Sequence, residues 1–275
     1  MIQDIAPHRL ENAFALRREP QPGDRVLFAR RGREILLRRE DGAWQLPAVG
    51  ETGREGLHFG FLLDGEACFL GEGEPQLPGF EWIDQRQCRE LRPQELGFAC
   101  ITGMQLLRWR AEHRFCGACG CVTHDSLTER ALVCPSCGLT VYPKIMPAVI
   151  VGIVHRGRLL VTRYADRPLS TLALVAGYTE IGETAEETVR REVQEEVGLR
   201  LGRISYYKSQ PWGFSDTLLL GFFARLEGSS KAMRLDRTEL KEAMWLRREE
   251  LPDRRGEASL TAEMMEVFRT GKVRI

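Results

Sequence analysis

Cys116 and Cys119 are separated by two residues, as are Cys134 and Cys137, and fourteen residues lie between the two pairs. Two such knuckles bring four thiolates onto one tetrahedral Zn²⁺ and leave no coordination position for a substrate. Gly117, Gly120 and Gly138 sit in or beside the knuckles, where the turn needs a permissive backbone. The residues between the pairs (His124, Asp125, Glu129, Arg130) are of mixed charge rather than a basic stripe with stacking aromatics, so a structural staple is expected before a nucleic-acid-binding ribbon. Cys121 lies beside the second ligand, but the regular spacing favours the other four. Cys68, Cys88 and Cys100 read as small buried apolar residues.

Eight cysteines used in this way point to a reducing compartment rather than to a disulfide framework. The start, MIQDIAPHRL, has no basic segment followed by an apolar run, and no stretch approaches 18 apolar residues. A cytoplasmic protein without membrane association is expected. Lys plus Arg (39) equals Asp plus Glu (39), so no global field draws the chain to duplex DNA or an anionic membrane, and any anionic ligand must be handled locally.

At 275 residues the chain is long enough for about two domains. The spacing predicts a β-rich domain over residues 1–110, the zinc ribbon over 111–144 and an α/β domain over 145–275. In the first, short apolar runs (Val26 to Phe28, Ile35 to Leu37, Gly60 to Leu63, Cys68 to Leu70) alternate with turn signals, Asp64-Gly65 being a hairpin turn. A helix over Pro93 to Arg114, with Leu96, Cys100 and Leu107 at helical spacing, leads out of it. In the last, a strand hairpin (Ala148 to Val154, Leu159 to Thr162) and a run at Leu172 to Val175 precede an acidic helix from Glu183 to Val197. Strands at Ile204 to Lys208, Leu218 to Ala224 and Met244 to Leu246 follow, and a helix at Leu260 to Arg269 ends near Gly271.

The acidic helix carries the chemistry. Glu192, Glu195 and Glu196 fall within about 100° of one another on a helix of 3.6 residues per turn, so three carboxylates share one face. Like charges at that spacing are destabilising unless a cation joins them, and hard oxygen ligands suit Mg²⁺ or Mn²⁺. Glu186 and Glu187 read as a solvated face. The whole segment, Gly177 with Glu183 six residues later and Arg191-Glu192-Val193-Gln194-Glu195-Glu196-Val197-Gly198-Leu199, resembles the Nudix box without departure. The resemblance implies a Nudix α/β/α sandwich with a mixed sheet. It further implies that Glu192 and Glu196 hold the ions, that the Ala176 carbonyl is also a ligand, and that Arg191 pairs with Glu183. The reaction implied is hydrolysis of a nucleoside diphosphate linked to another moiety, with water attacking phosphorus in line. Glu195 or another nearby carboxylate takes the proton.

Three marks together resemble the NADH pyrophosphatases of the bacterial NudC type: the β-rich N-terminal domain, the zinc ribbon directly before the Nudix domain, and Ser209-Gln210-Pro211-Trp212-Gly213-Phe214 after the box. That subfamily carries Ser-Gln-Pro-Trp-Pro-Phe-Pro-x-Ser, an array that closes over the dinucleotide. Here Gly213 and Ser215 replace two prolines and Thr217 the last serine. Losing two fixed φ angles predicts a looser loop, and Asp216 adds a charge that disfavours a phosphorylated ribose. The resemblance also implies Tyr142 and Tyr178 as rings against the nicotinamide, Tyr142 from a partner subunit, and Glu239 as a further metal ligand, with Glu242 a close competitor. Glu129 and Ala262 match substrate contacts.

The activity implied is cleavage of NADH and NAD⁺ to nicotinamide mononucleotide and AMP by a homodimer, with removal of NAD caps from RNA a second outlet. The competing readings are an enzyme for ADP-ribose or dinucleoside polyphosphates, and a nucleotide sensor without hydrolysis. All the box glutamates are present, which argues against the sensor.

Overall fold

Alternating apolar residues in short strands need a partner layer, and the chain provides two such layered bodies. One compact unit comprises residues 2–144 with 213–216, and the other residue 1 with 145–212 and 217–275. The computed structural model describes residues 1–165 and 172–273. No helix among the described residues is long and apolar enough to cross a membrane.

In the first unit, seven strands form one sheet: β1 (Leu10–Glu11), β2 (Arg25–Arg30), β3 (Glu34–Glu40), β4 (Ala43–Gln45), β5 (Leu57–Leu63), β6 (Glu66–Gly71) and β7 (Phe80–Asp84). Their order is β1-β5-β6-β2-β3-β4, with β7 on β3. Asp64 and Gly65, at φ 52° and 83°, close the β5–β6 hairpin with two left-handed residues. The helix α1 (Val49–Thr52) is a single turn, whereas α2 (Gln94–Glu112) is long and has Pro93 at its N-cap. Rather than leading out of the sheet, α2 packs on it: Leu96, Cys100 and Met104 share a core with Leu27, Leu37 and Phe61. Gly103 lets the helix approach, since a Cβ there would lie 2.7 Å from the Leu27 side chain. Leu107 is only partly buried against the same core. The ribbon adds β8 (His124–Asp125), β9 (Leu132–Val133) and β10 (Thr140–Val141), ordered β10-β9-β8.

In the second unit, the sheet contains β11 (Met146–His155), β12 (Arg158–Tyr164), β13 (Val175–Tyr178), β14 (Arg200–Trp212), β15 (Thr217–Glu227) and β16 (Leu240–Arg247). The order is β14-β15-β11-β12-β16 with β13 on β11. β11 runs parallel to β15 while the other pairs are antiparallel, so the sheet is mixed. Successive residues of β11 serve opposite faces. Val149, Val151 and Ile153 pack with Val189 and Val193 of α3 (Ala185–Val197), and Ile150 packs with Leu260, Met264 and Phe268 of α4 (Leu260–Arg269). The result is the α/β/α sandwich.

Two boundaries differ from the sequence reading in ways that bear on the site. α3 begins at Ala185 because Thr184 takes the N-cap: its hydroxyl accepts from the Glu187 N–H, and the Glu187 carboxylate accepts from the Thr184 N–H. Glu183 therefore lies in the preceding loop, free to turn back onto the helix. β14 continues through Ser209 to Trp212, pairing Gln210 with Leu219 and Pro211 with Leu218, so half of the expected loop is strand. Pro211 is tolerated because β14 is an edge strand.

Candidate active site and zinc centre

The four knuckle sulfurs are the one group of three or more His, Cys, Asp or Glu ligand atoms within 4.8 Å of one another among the described residues. Cys116 Sγ lies 3.5 Å from Cys137 Sγ, and Cys119 Sγ 3.4 Å from Cys134 Sγ. A tetrahedron with zinc–sulfur bonds of about 2.3 Å has edges of about 3.8 Å, so the cluster is already near that size. The thiols of Cys116 and Cys119 are held below their ordinary range, chiefly by backbone N–H groups of Ala118 and Cys121 respectively, which favour the thiolate a metal requires. Cys121 is not in the group. Cys68, Cys88 and Cys100 are buried. Burial pushes the Cys68 thiol up to about 12.

In the second unit, β13 passes beneath the acidic face of α3. A Cβ on Gly177 would lie 2.0 Å from the Glu192 carboxyl carbon, so this glycine makes the space that carboxylate occupies. Arg191 organises the loop through four partners. Its Nε and Nη2 donate to the two Glu183 oxygens (2.6 and 3.0 Å), Nη1 donates to Glu192 (2.7 Å) and Glu195 (3.0 Å), and Nη2 also donates to the Tyr178 carbonyl (2.8 Å). Glu183 is held at about 2 by Arg191, assisted by the Glu180 N–H and the Thr188 hydroxyl.

Glu196 is only 2% exposed. Its Oε1 accepts from the Ala176 N–H at 3.3 Å, and its Oε2 is buried with no hydrogen-bond partner among the described residues. Burial, with the charges of Glu192, Glu239 and Asp236 nearby, pushes its carboxyl up to about 8. Burial also raises the Glu192 carboxyl, against the pull of Arg191. Glu195 stands open, with its side chain 59% exposed. A buried carboxylate oxygen without a partner is costly, and several carboxylates facing one another compound that cost. A divalent cation relieves both, so the donor set of Glu192, Glu196 and Glu239 fits the hard ion expected here.

The remaining predicted residues are distributed between the units. In the second, Tyr178 is 49% exposed and its hydroxyl lies 3.3 Å from that of Thr217. Gln210 is fully buried, its amide donating to the Ala258 carbonyl and accepting from the Leu260 N–H. Ala262 is buried in the first turn of α4, Pro211 is exposed and Trp212 is half-buried. In the first, Tyr142 is 55% exposed and donates to Glu129 at 3.1 Å. Gly213 is fixed by packing, since a Cβ would lie 2.8 Å from the Ile101 carbonyl oxygen. Phe214 packs against the core that contains α2, with the Arg89 guanidinium 4.7 Å from its ring centre. Ser215 is exposed. Asp216 is engaged by Arg108 at 2.6 Å, and the same Arg108 nitrogen donates to the Gly213 carbonyl. Arg108 and the buried-oxygen environment of Glu196 carry no local sequence signal; the box glycine is the one hint of the space under Glu192.

The chain was compared with known families and proteins. A NUDIX domain model matches residues 144–268, and the NADH pyrophosphatase zinc ribbon domain matches residues 111–142. The chain is similar to the NAD-capped RNA hydrolase NudC of Stutzerimonas stutzeri, 34% identical over 226 residues that span 82% of this chain and 79% of that one. It is also similar to the NAD-capped RNA hydrolase NudC of Salmonella heidelberg, 37% identical over 209 residues that span 72% and 79% of the two chains. Among solved structures, a NUDIX hydrolase from Nitrosomonas europaea aligns with a TM-score of 0.49 at 20% identity, over 57% of this chain and 91% of that one. With both domain models matched in tandem and curated relatives followed over most of their length, the chain belongs to the zinc-ribbon Nudix hydrolases of the NudC type.

Proposed function

We propose that this chain hydrolyses the pyrophosphate bond of NADH and NAD⁺, giving nicotinamide mononucleotide and AMP, and that it removes NAD from RNA 5′ ends by the same cleavage. The observation that carries the reading is the buried oxygen of Glu196, without a partner among the described residues, near a Glu192 carboxylate for which Gly177 leaves room. Glu192, Glu196, Glu239 and the Ala176 carbonyl hold Mg²⁺ or Mn²⁺, while Cys116, Cys119, Cys134 and Cys137 hold the structural zinc. When bound, the divalent ions neutralise the charge on the pyrophosphate oxygens. Arg191 fixes the loop by gripping Glu183 and the Tyr178 carbonyl together. Glu195, exposed and bonded to Arg191, is the carboxylate to which this reading assigns the proton of the attacking water.

Tyr178 and Tyr142 present open rings of the kind that stack on a flat heterocycle, and Glu129 orients the Tyr142 hydroxyl. The proposed substrate contacts are Gln210, Pro211, Trp212, Thr217 and Ala262 in the second unit and Gly213, Phe214, Ser215 and Asp216 in the first, Gln210 also holding the start of α4. The active form is a homodimer in which Tyr142 serves the partner's nicotinamide. Eight free cysteines, four of them in a thiolate site, support residence in the cytoplasm.

The test is to incubate the zinc-loaded protein and Mg²⁺ or Mn²⁺ with NADH, NAD⁺, ADP-ribose and NAD-capped RNA, and to resolve the products. Nicotinamide mononucleotide and AMP from NADH are expected. Survival of NADH while ADP-ribose is cut would overturn the substrate reading.

A further inference from the structure

The first unit contains a cleft of about 570 Å³ walled by β5 and β6, α2, the ribbon segment 125–131 and the N-terminal segment 14–20. Its floor is apolar and aromatic, with Phe59, Leu70, Leu106 and Trp109 among the lining side chains. Four arginines line it, and they are not equivalent. Arg18 is taken up by the buried Asp24 through contacts of 2.5 and 2.6 Å, and Arg110 by Asp125 at 2.5 Å. Arg17 and Arg130 are paired with no carboxylate among the described residues. The Arg17 guanidinium lies 4.9 Å from the centre of the Phe14 ring. Arg130 is half-buried and donates to the Asn12 carbonyl at 3.1 Å, and burial alone pulls its pKa down.

The cleft thus leaves guanidinium charge uncompensated at Arg130 and Arg17. A desolvated guanidinium without an anion forfeits a charge-assisted hydrogen bond, which is stronger than its neutral equivalent. Trp109, only 5% exposed, presents the edge of its ring to the cleft, while its Nε1–H is buried in the core with no acceptor among the described residues. An anionic group suits Arg130 and Arg17, because a guanidinium fork matches phosphate oxygens. A flat ring suits the aromatic side chains of Phe59 and Trp109 that line the cleft. The carboxylate of Glu19, also in the lining, accepts from sugar hydroxyls. The volume lies in the range of small-molecule sites.

We propose that this cleft binds a nucleoside monophosphate, its phosphate on Arg130 and Arg17 and its base over Phe59 and Trp109. The site is made from residues outside the acidic helix, and the proposal does not depend on the activity proposed above.

The experiment is a titration of the full-length zinc-loaded protein with AMP, without added Mg²⁺ or Mn²⁺, followed through the indole ¹H–¹⁵N NMR signals. The Trp109 signal is identified as the one missing from Trp109→Phe. AMP should move it, and Arg130→Gln should weaken AMP at least about tenfold while Arg130→Lys retains part of the affinity. Adenosine and inorganic phosphate should each bind more weakly than AMP. A Trp109 signal that AMP leaves in place overturns the proposal, as does equal AMP affinity in Arg130→Gln and the unchanged protein. Phosphate binding as tightly as AMP overturns the nucleotide class. An unfolding midpoint for Arg130→Gln near that of the unchanged protein separates lost binding from lost fold.

Discussion

The cysteine cluster of the ribbon and the carboxylates of α3, the second proposed above as a metal site, are built on opposite terms. At the ribbon, four sulfurs already lie within 4.8 Å of one another, and knuckle amides stabilise the thiolate form of Cys116 and Cys119. At α3 the carboxylates are not gathered to that degree: Glu196 keeps a partnerless buried oxygen, Glu192 is tied to Arg191 and Glu195 points outward. A site whose only task is to hold an ion satisfies all its ligands by closing on it. A site that must share its ion with a substrate keeps part of its donor set uncommitted and bears the cost in buried charge.

The largest effect is expected where closure is complete. Cys134→Ser should lower the bound zinc below one per chain, measured by metal analysis. The first unit should unfold at much lower temperature, because structural zinc sites contribute on the order of 10 kcal/mol to folding. A variant that keeps both its zinc and its thermal midpoint would break the distinction. Glu196→Gln should do the reverse. Activity on NADH should fall by at least about 10²-fold, or roughly 2.7 kcal/mol of transition-state stabilisation. Without added divalent ions its midpoint should hold or rise, because a neutral amide replaces a buried acid with a partnerless oxygen. Full activity in Glu196→Gln would remove the metal assignment.

These clusters also differ in how far they could be read from the chain. The thiolate site is legible because its ligands are local in sequence and the spacing fixes the geometry. The carboxylate face of α3 is legible only in part: helical periodicity places Glu192 beside Glu196, whereas Glu195, expected on the same face, stands open to solvent. What surrounds them is not local. That a Cβ on Gly177 would lie 2.0 Å from the Glu192 carboxyl carbon depends on β13 pairing with β11, and no pattern within either segment encodes it. The substrate array shows the same limit. Gly213 and Ser215 in place of prolines predict a loose loop, yet β14 extends through Trp212. Beyond it, Gly213 and Asp216 are held by Arg108, more than a hundred positions earlier in the chain. An ion pair here does what local φ restriction does elsewhere, and only the folded chain reveals it.

Gly177→Ala sharpens the comparison by moving a carboxylate without removing it. The nearest atoms to the added methyl belong to the end of the Glu192 side chain, which rotates away at little cost to the fold. The unfolding midpoint should therefore change by less than a few degrees, while activity falls about tenfold and responds to higher Mg²⁺. Unchanged kinetics would show that Glu192 acts from a different position from the one it occupies under the glycine.

The smallest effect concerns the ion pair that frames the open site. Arg191 holds Glu183 at about 2, below the usual carboxylate value of 4.5. Because the folded value is the lower one, the folded state favours the ionised form. The stability this gives is complete above about pH 4.5 and is lost as pH falls toward 2. Thermal midpoints between pH 6 and 2.5 should accordingly fall less steeply in Glu183→Gln than in the unchanged protein, although the variant starts lower. Asp253 is held equally low, by Arg255, but that arginine is 74% exposed and Asp253 itself 46%. Water screens such a pair, so Asp253→Asn should leave the pH slope nearly unaltered. If the two variants flatten the slope alike, the Arg191–Glu183 pair is an ordinary surface contact, and the loop before α3 must be held in place by the capping box of Thr184 and Glu187 instead.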